Sequence, residues 1–418
     1  MIIGGPIPEG QELALIVEVV RDLGSTFDLD TLLSRVATTS LRVLNCDRAT
    51  VFLYDPASDE LYSRVATGIE QLRFSARSGI AGQAVQTRRP ILVPDAYADP
   101  RFNRSIDEQT GYRTRNLLTF PLLGHDGAVV GVLQVLNKLR GEFHDRDELL
   151  ADTLSKLAGV AVERQILLDQ YREKLKLEND LDLARRIQQR LLPQESPQVA
   201  GFDVAGWNKP ADQTGGDCFD FFAMGDGRLG ILIADATGHG IGPALIVAQC
   251  RAILRSAASM CRDLQEITDH VNRLLSADTP SDRFVTACIG ALDAANAAFT
   301  YASAGHGPIL HLHADTGTAD ELPPTGIPMG IVADERYDVA GPIPLRRGDT
   351  MAVLTDGFVE WEAPDGEQFG VERAVRVLRD HGTCSSAAAI QALYEAVLRF
   401  GRGSPQRDDL TAVVIRRP

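Results

Sequence analysis

The stretch LGILIADATGHG, Leu229 to Gly240, decides how the C-terminal half of the chain reads. It opens as an apolar, strand-like run and breaks at Asp235 into a glycine-containing turn. A carboxylate at a strand end points out of the sheet edge, where ligands bind. The same pattern recurs in TMAVLTDG, Thr350 to Gly357, which carries Asp356 at the end of its run. Asp408, in RDDLT, stands just before LTAVVI, and Asp217 lies upstream in GGDCFDF. Four carboxylates gathered at one edge repel strongly unless cations neutralise them. All-oxygen ligation suits Mg²⁺ or Mn²⁺ rather than Zn²⁺. Two divalent ions balance four carboxylates, and paired ions activate water for in-line displacement at phosphorus. This predicts a two-metal phosphoryl hydrolase with no side-chain nucleophile, in keeping with a chain that shows no evident Ser–His–Asp or CxxxxxR signature. Gly215, Gly216, Gly238, Gly240 and Gly357 let the backbone approach a metal or phosphate with no Cβ in the way.

The 418 residues suffice for two or three domains. Apolar content of 44% and charged content of 24% are those of an ordinary globular protein. A formal net charge of −15 argues against a nucleic-acid-binding surface. The six cysteines form no CxxC pair and read as free thiols of a reducing compartment. No apolar run approaches the roughly 18 residues of a membrane span, and MIIGGPIPEG lacks the basic start of a signal peptide. The expectation is a cytoplasmic protein with no membrane or nucleic-acid partner.

Apolar residues recur at helical spacing over 11–45, with a helix start near Asp28 in STFDLDTLLSRV. Strands are predicted over Ala49–Tyr54, Glu60–Ala66, Ile91–Val93, Leu117–Leu122 and Val129–Leu136. A proline-free helical pattern then runs from Asp145 to Leu192, stopped by Pro193 and Pro197. Leu168, Tyr171 and Leu175 share one face at coiled-coil spacing. Leu177, Leu181, Ala184 and Leu191 share another, so the seam shifts near 176–180. Such a helix between two domains predicts parallel pairing with a second copy, as a homodimer. The expected division is a lead at 1–19, a sensor domain at 20–160, a helical linker at 161–193 and a catalytic domain at 194–418. The fold class expected is a two-domain α/β (α+β) chain.

Residues 183–417 resemble the SpoIIE/RsbU-type branch of the metal-dependent (PPM, type 2C-like) serine/threonine phosphatases. The resemblance runs through ARRIQQRLLP (184–193), TGGDCFDFF (214–222), IADATGHGIGPAL (233–245), RFVTACIGALD (283–293), SAGHGPIL (303–310), GIPMGI (326–331), GDTMAVLTDGFVE (348–360) and RDDLTAVVI (407–415). It implies an α-β-β-α sandwich with Mn²⁺ or Mg²⁺ held by Asp217, Asp235, the carbonyl of Ala236, Asp356 and Asp408. Ala236 stands where relatives often have valine or glycine, and only its carbonyl would serve. Asp220 and Asp409 are expected to orient ligands or waters from behind. Thr237 and Thr411 are expected to hold turns by local hydrogen bonds, and His239 and His306 to play packing or hydrogen-bonding roles. GGDCF superficially matches the GGDEF signature of diguanylate cyclases. Cys218 and Phe219 replace the acidic residue that chemistry needs, and TDG and RDDLT would go unexplained. The other alternative is a catalytically silent binding module of phosphatase fold.

Residues 20–165 resemble a GAF domain of the cyclic-nucleotide-binding subgroup, through SGIAGQAVQT (78–87), VPDAYADPRFN (93–103), DEQTGYRTRNLL (107–118) and a terminal signature of Asn137–Lys138, Phe143 and Asp147–Glu148. In that signature Lys138 pairs with Asp147 and ties the last strand to the closing helix. The resemblance implies an antiparallel sheet and a ligand pocket at Thr50, Thr67, Ile80, Ala81, Asp107, Thr110, Thr114 and Gln134. Ala66 and Thr67 stand where a cyclic-GMP-binding relative has phenylalanine and aspartate, which favours cyclic AMP over cyclic GMP. The alternative is a GAF fold with an empty pocket, used to dimerise. Together the two resemblances imply a GAF-regulated protein phosphatase acting on a phosphorylated anti-anti-sigma-factor-like protein.

Overall fold

The computed structural model describes residues 28–66, 72–238 and 240–418, and the chain divides into two compact units, 1–176 and 177–418. The predicted lead, Thr67 and His239 lie outside the described residues. In the first unit, α1 (Leu29–Leu44) begins where Asp28 caps it, its Oδ2 accepting the Thr31 N–H at 2.8 Å. Leu29, Leu32, Leu33 and Val36 form its buried stripe. Strands β1 (Cys46–Asp55), β2 (Glu60–Ala66), β3 (Arg73–Ser75), β4 (Ile91–Val93), β5 (Leu117–Leu123) and β6 (Val129–Lys138) form an antiparallel sheet ordered β3-β2-β1-β6-β5-β4.

Two short helices, α2 (Gly79–Thr87) and α3 (Ser105–Thr110), precede the long α4 (Asp145–Leu191). Alternation along the strands divides the sheet between two cores. Val51, Leu53, Leu133 and Val135 pack with α1 and the first turns of α4. Phe52 and Val132 face the opposite way, onto Ala81 and Ala84 of α2. The helix α4 stops two residues before Pro193, as the sequence requires. Its middle leaves Leu167, Tyr171, Leu175, Leu177, Leu183 and Ile187 exposed. Leu168, Leu181 and Ala184, also on the predicted seams, are half-buried.

The second unit holds two five-stranded antiparallel sheets. One comprises β8 (Asp217–Ala223), β9 (Leu229–Ala236), β10 (Val285–Asp293), β11 (Ala298–Ala304) and β14 (Ala340–Pro344). The other comprises β7 (Asp203–Lys209), β12 (Ile309–Leu312), β13 (Ala319–Leu322), β15 (Thr350–Leu354) and β16 (Leu410–Arg416). Their inner faces meet through Phe219, Ile231, Ile233, Ile309, Met351 and Val413. Helices α5 (Ile241–Met260) and α6 (Leu264–Asp278) cover the first sheet. The one-turn α7 (Asp356–Val359) precedes α8 (Gly370–Asp380) and α9 (Ser386–Gly401), which cover the second. The result is the expected α-β-β-α sandwich, with each sheet apolar on both faces.

Candidate metal centre

Each of the four aspartates sits at a strand end, and two come from each sheet. Asp217 opens β8 and lies directly opposite Asp235 of β9. Asp356 begins α7 just beyond β15, and Asp408 precedes β16, the neighbour of β15. Two hydroxyls from the second sheet reach Asp217 Oδ2: Thr355 Oγ1 donates at 2.9 Å and Thr411 Oγ1 at 2.6 Å. Thr411 Oγ1 in turn accepts Asn208 Nδ2 at 2.8 Å, so its proton points at the carboxylate. These bonds fix one ligand oxygen and leave the other for a cation.

The cluster's own electrostatics disfavour its charged form. Burial, then Asp235 and Asp409, push the Asp217 carboxyl well above the usual carboxylate range. Burial, Asp356 and Asp408 raise Asp235 to about 7. Burial, Asp408 and Glu360 raise Asp356 to about 6. Like charges confined away from water favour the protonated form, and a bound cation would relieve them. No three of these carboxylates bring oxygens within 4.8 Å of one another among the described residues. The donor set is all oxygen and fits Mg²⁺ or Mn²⁺. The Ala236 carbonyl closes on Gly216, where any Cβ would meet it.

Behind the ligands, Asp409 holds the loop that leads to Asp217. It accepts the Ala211 N–H at 2.7 Å and the Asp217 N–H at 3.2 Å. The other anchor, Gln188 near the end of α4, was not singled out from the sequence. Its Nε2 donates to the Gly215 carbonyl at 2.7 Å, and its Oε1 accepts the Gly215 N–H at 3.1 Å. Gly215 is therefore held on both backbone groups, and a Cβ there would collide with the Asp409 carboxylate. The signal lay in the IQQRLLP segment, but its partner stands 27 residues away and becomes visible only in the fold.

Three expectations need correction. Asp220 does not serve the metal centre: three residues along β8 from Asp217, it projects to the helix side. There it is fully buried and paired with Arg251 at 2.9 Å and Arg255 at 2.5 Å. Thr411 is not a local turn brace but a donor to Asp217 across the sandwich. The Lys138–Asp147 pair is formed, buried between the last strand and the closing helix, and Lys138 Nζ also lies 5.5 Å from the Phe143 ring centroid. That contact joins three members of the NK…F…DE signature. Thr237, like Thr411, bonds across the fold rather than locally: its N–H donates to the Phe284 carbonyl at 3.0 Å and its Oγ1 accepts the Phe284 N–H at 3.2 Å, 47 residues along the chain. His306 is buried, with Nδ1 3.0 Å from Thr286 Oγ1, opposite Asp235 in the ladder.

In the first unit, Thr50 lies opposite Gln134, whose Nε2 donates to Thr119 Oγ1 at 3.1 Å. This polar row shares the sheet face that α2 covers, where Ile80 and Ala81 are buried. Asp107 and Thr114, expected to face a ligand, satisfy each other. Asp107 accepts the Thr114 N–H at 2.6 Å and its hydroxyl at 2.9 Å. The Thr110 side chain lies outside what the structure describes.

Residues 225–418 match the family model described as stage II sporulation protein E (SpoIIE), and residues 28–162 match the GAF domain model. The chain is 27% identical over 276 residues to phosphoserine phosphatase RsbU of Bacillus subtilis (strain 168), covering 66% of this chain and 80% of that protein. It is 33% identical over 196 residues to dual 3',5'-cyclic-AMP and -GMP phosphodiesterase 11 of Drosophila melanogaster, covering 42% of this chain but only 14% of that protein. The solved SiaA-PP2C domain of Pseudomonas aeruginosa is similar with a TM-score of 0.51 and 26% identity, over 59% of this chain and 98% of that one.

Proposed function

We propose that this chain is a metal-dependent protein serine/threonine phosphatase governed by a GAF sensor, a reading supported by the match of residues 225–418 to the SpoIIE model and of residues 28–162 to the GAF model. The observation that carries the reading is the convergence of Asp217, Asp235, Asp356 and Asp408 from two facing sheets, with the proton affinities of Asp217, Asp235 and Asp356 raised by burial and by neighbouring carboxylates. Those residues and the Ala236 carbonyl would hold two Mg²⁺ or Mn²⁺ ions. When bound, the ions supply a water acidic enough to attack phosphorus at neutral pH. Thr355 and Thr411 orient Asp217, while Asp409 and Gln188 fix the loop before it. A cleft of about 180 Å³ opens beside Gly357 and Asp408, with Glu360, Trp361 and Arg407 in its wall. It offers a phosphorylated side chain a way to the aspartates.

The likeness to a phosphoserine phosphatase supports a phosphoprotein substrate, and the substrate proposed is an anti-anti-sigma-factor-like protein. The likeness to a protein named for cyclic AMP and cyclic GMP supports a cyclic-nucleotide ligand for the GAF domain, with cyclic AMP favoured. The exposed leucines of α4 support pairing of two copies through that helix. No helix among the described residues is long and apolar enough to cross a membrane. The test is Mn²⁺-dependent phosphate release from a phosphoserine peptide, measured with and without each nucleotide. Wild-type protein is expected to release phosphate and Asp356→Asn to release none. Equal release by both, or none by wild type, overturns the hydrolase reading and leaves a binding module.

A further inference from the structure

A second cluster of ligating side chains stands at the other end of the sandwich. Asp356 follows the C-terminal end of β15, whereas Asp349 precedes its N-terminal end. Five residues of strand separate His311's neighbour Met351 from Asp356, roughly 15 Å at the rise of an extended chain. On β12, His311 projects to the inner side of its sheet, as Ile309 does, and His313 follows two residues later on the same side. His311, His313 and Asp349 each bring one ligand atom within 4.8 Å of the others. His311 and Asp349 are buried, at 4% and 1% exposure, and the His313 side chain, 24% exposed, leaves a way in from solvent.

The hydrogen bonding is incomplete in a telling place. Asp349 Oδ1 accepts the Ala314 N–H at 3.0 Å and Oδ2 the Arg346 N–H at 2.8 Å, so the carboxylate is fixed by backbone. His311 Nε2 is buried without a hydrogen-bond partner, the Asp349 Oδ2 standing 3.5 Å away. An unsatisfied buried nitrogen is a cost that a bound cation removes. The two imidazole rings lie 4.1 Å apart at their centroids. Burial lowers the proton affinity of His311, which keeps a lone pair free for a metal. His313 Nε2 meets Asp320 Oδ2 at 2.8 Å, the kind of carboxylate contact that orients metal-bound histidines.

We propose that His311, His313 and Asp349 form a zinc-binding site distinct from the aspartate centre. Two imidazoles and one carboxylate select Zn²⁺ over Mg²⁺, with water as a fourth ligand. Ligands of a tetrahedral zinc stand roughly 3.4 Å apart, so closure from the observed spacing asks for side-chain adjustment only. A bound ion would tie the β12–β13 hairpin to the turn before β15.

The experiment uses the full chain carrying Asp235→Asn, which cripples the aspartate centre, in buffer with millimolar Mg²⁺. Zinc content after dialysis and the visible absorption of a Co²⁺ titration are measured with and without His313→Gln. The first protein is expected to retain one Zn²⁺ and to give the intense four-coordinate Co²⁺ bands. His313→Gln is expected to bind at least tenfold more weakly and to lose those bands. Zn²⁺ should also raise the melting temperature of the first protein and not of the second. His313 is partly exposed, and far-ultraviolet circular dichroism without zinc checks that the variant folds. Equal zinc retention with and without His313, or none in either protein, overturns the site.

Discussion

Replacing Gln188 with alanine removes both hydrogen bonds that join the end of α4 to Gly215, two residues before Asp217. Each such bond is worth about 1 kcal/mol net, so the pair contributes about 2 kcal/mol to holding the loop. If the loop must keep this pose to present Asp217 to a cation, that energy appears in metal affinity. At about 1.4 kcal/mol per factor of ten, the Mn²⁺ concentration for half-maximal phosphatase activity should rise roughly 30-fold. Activity at saturating Mn²⁺ should return close to wild type, because Gln188 touches no reacting atom. Gln188→Glu keeps an acceptor for the Gly215 N–H but sets a carboxylate against the Gly215 carbonyl, so it should be at least as severe. Gln189→Ala, on the exposed side of the same turn, is the control and should change nothing. The assay is phosphate release against Mn²⁺ concentration for all four proteins. An unchanged half-saturation in Gln188→Ala, or a lost turnover that Mn²⁺ does not restore, refutes the reasoning.

Three further outcomes follow from other parts of the molecule. Lys138→Met strands Asp147 in the core of the first unit and should cost about 3–5 kcal/mol in urea unfolding of the full chain, with Lys138→Met/Asp147→Leu recovering most of it; a loss below 1 kcal/mol would show the pair to be expendable. His306 is buried and held neutral, its folded value of about 4 lying below the 6.5 of an unfolded histidine. Its contribution is therefore complete above pH 6.5 and lost as the pH falls toward 4, on the order of 3 kcal/mol in all. Raised carboxyls act in the opposite sense, so the measurement is the difference between wild type and His306→Gln in saturating Mg²⁺, and parallel curves would refute the assignment. Light scattering should give twice the 45.3 kDa chain mass, and Leu175→Lys with Leu177→Lys should halve it; a wild-type monomer at micromolar concentration removes the helix-pairing argument.

Three of the four candidate aspartates, Asp235, Asp356 and Asp408, were legible in the sequence because each ends or begins an apolar run, a local pattern that survives any packing, and Asp217 was legible from its glycine-rich GGDCFDF turn. The long helix and its stop were legible for the same reason, since proline acts on its own neighbourhood. The sandwich itself came from resemblance rather than periodicity, because strands buried on both faces show no alternation to say which sheet they join. Only the tertiary structure decided what stands behind the ligands. Asp220 lies three residues from Asp217, and strand alternation sent it to Arg251 and Arg255 instead of the metal. Gln188, Thr355 and Thr411 reach the site across 27, 138 and 194 residues of chain. Hydrogen bonds of that separation leave no spacing in the sequence to read. The same holds for His311 and Asp349, whose meeting is made by a strand register. Local chemistry thus named the carboxylates proposed to bind cations, and the fold chose the residues that aim them.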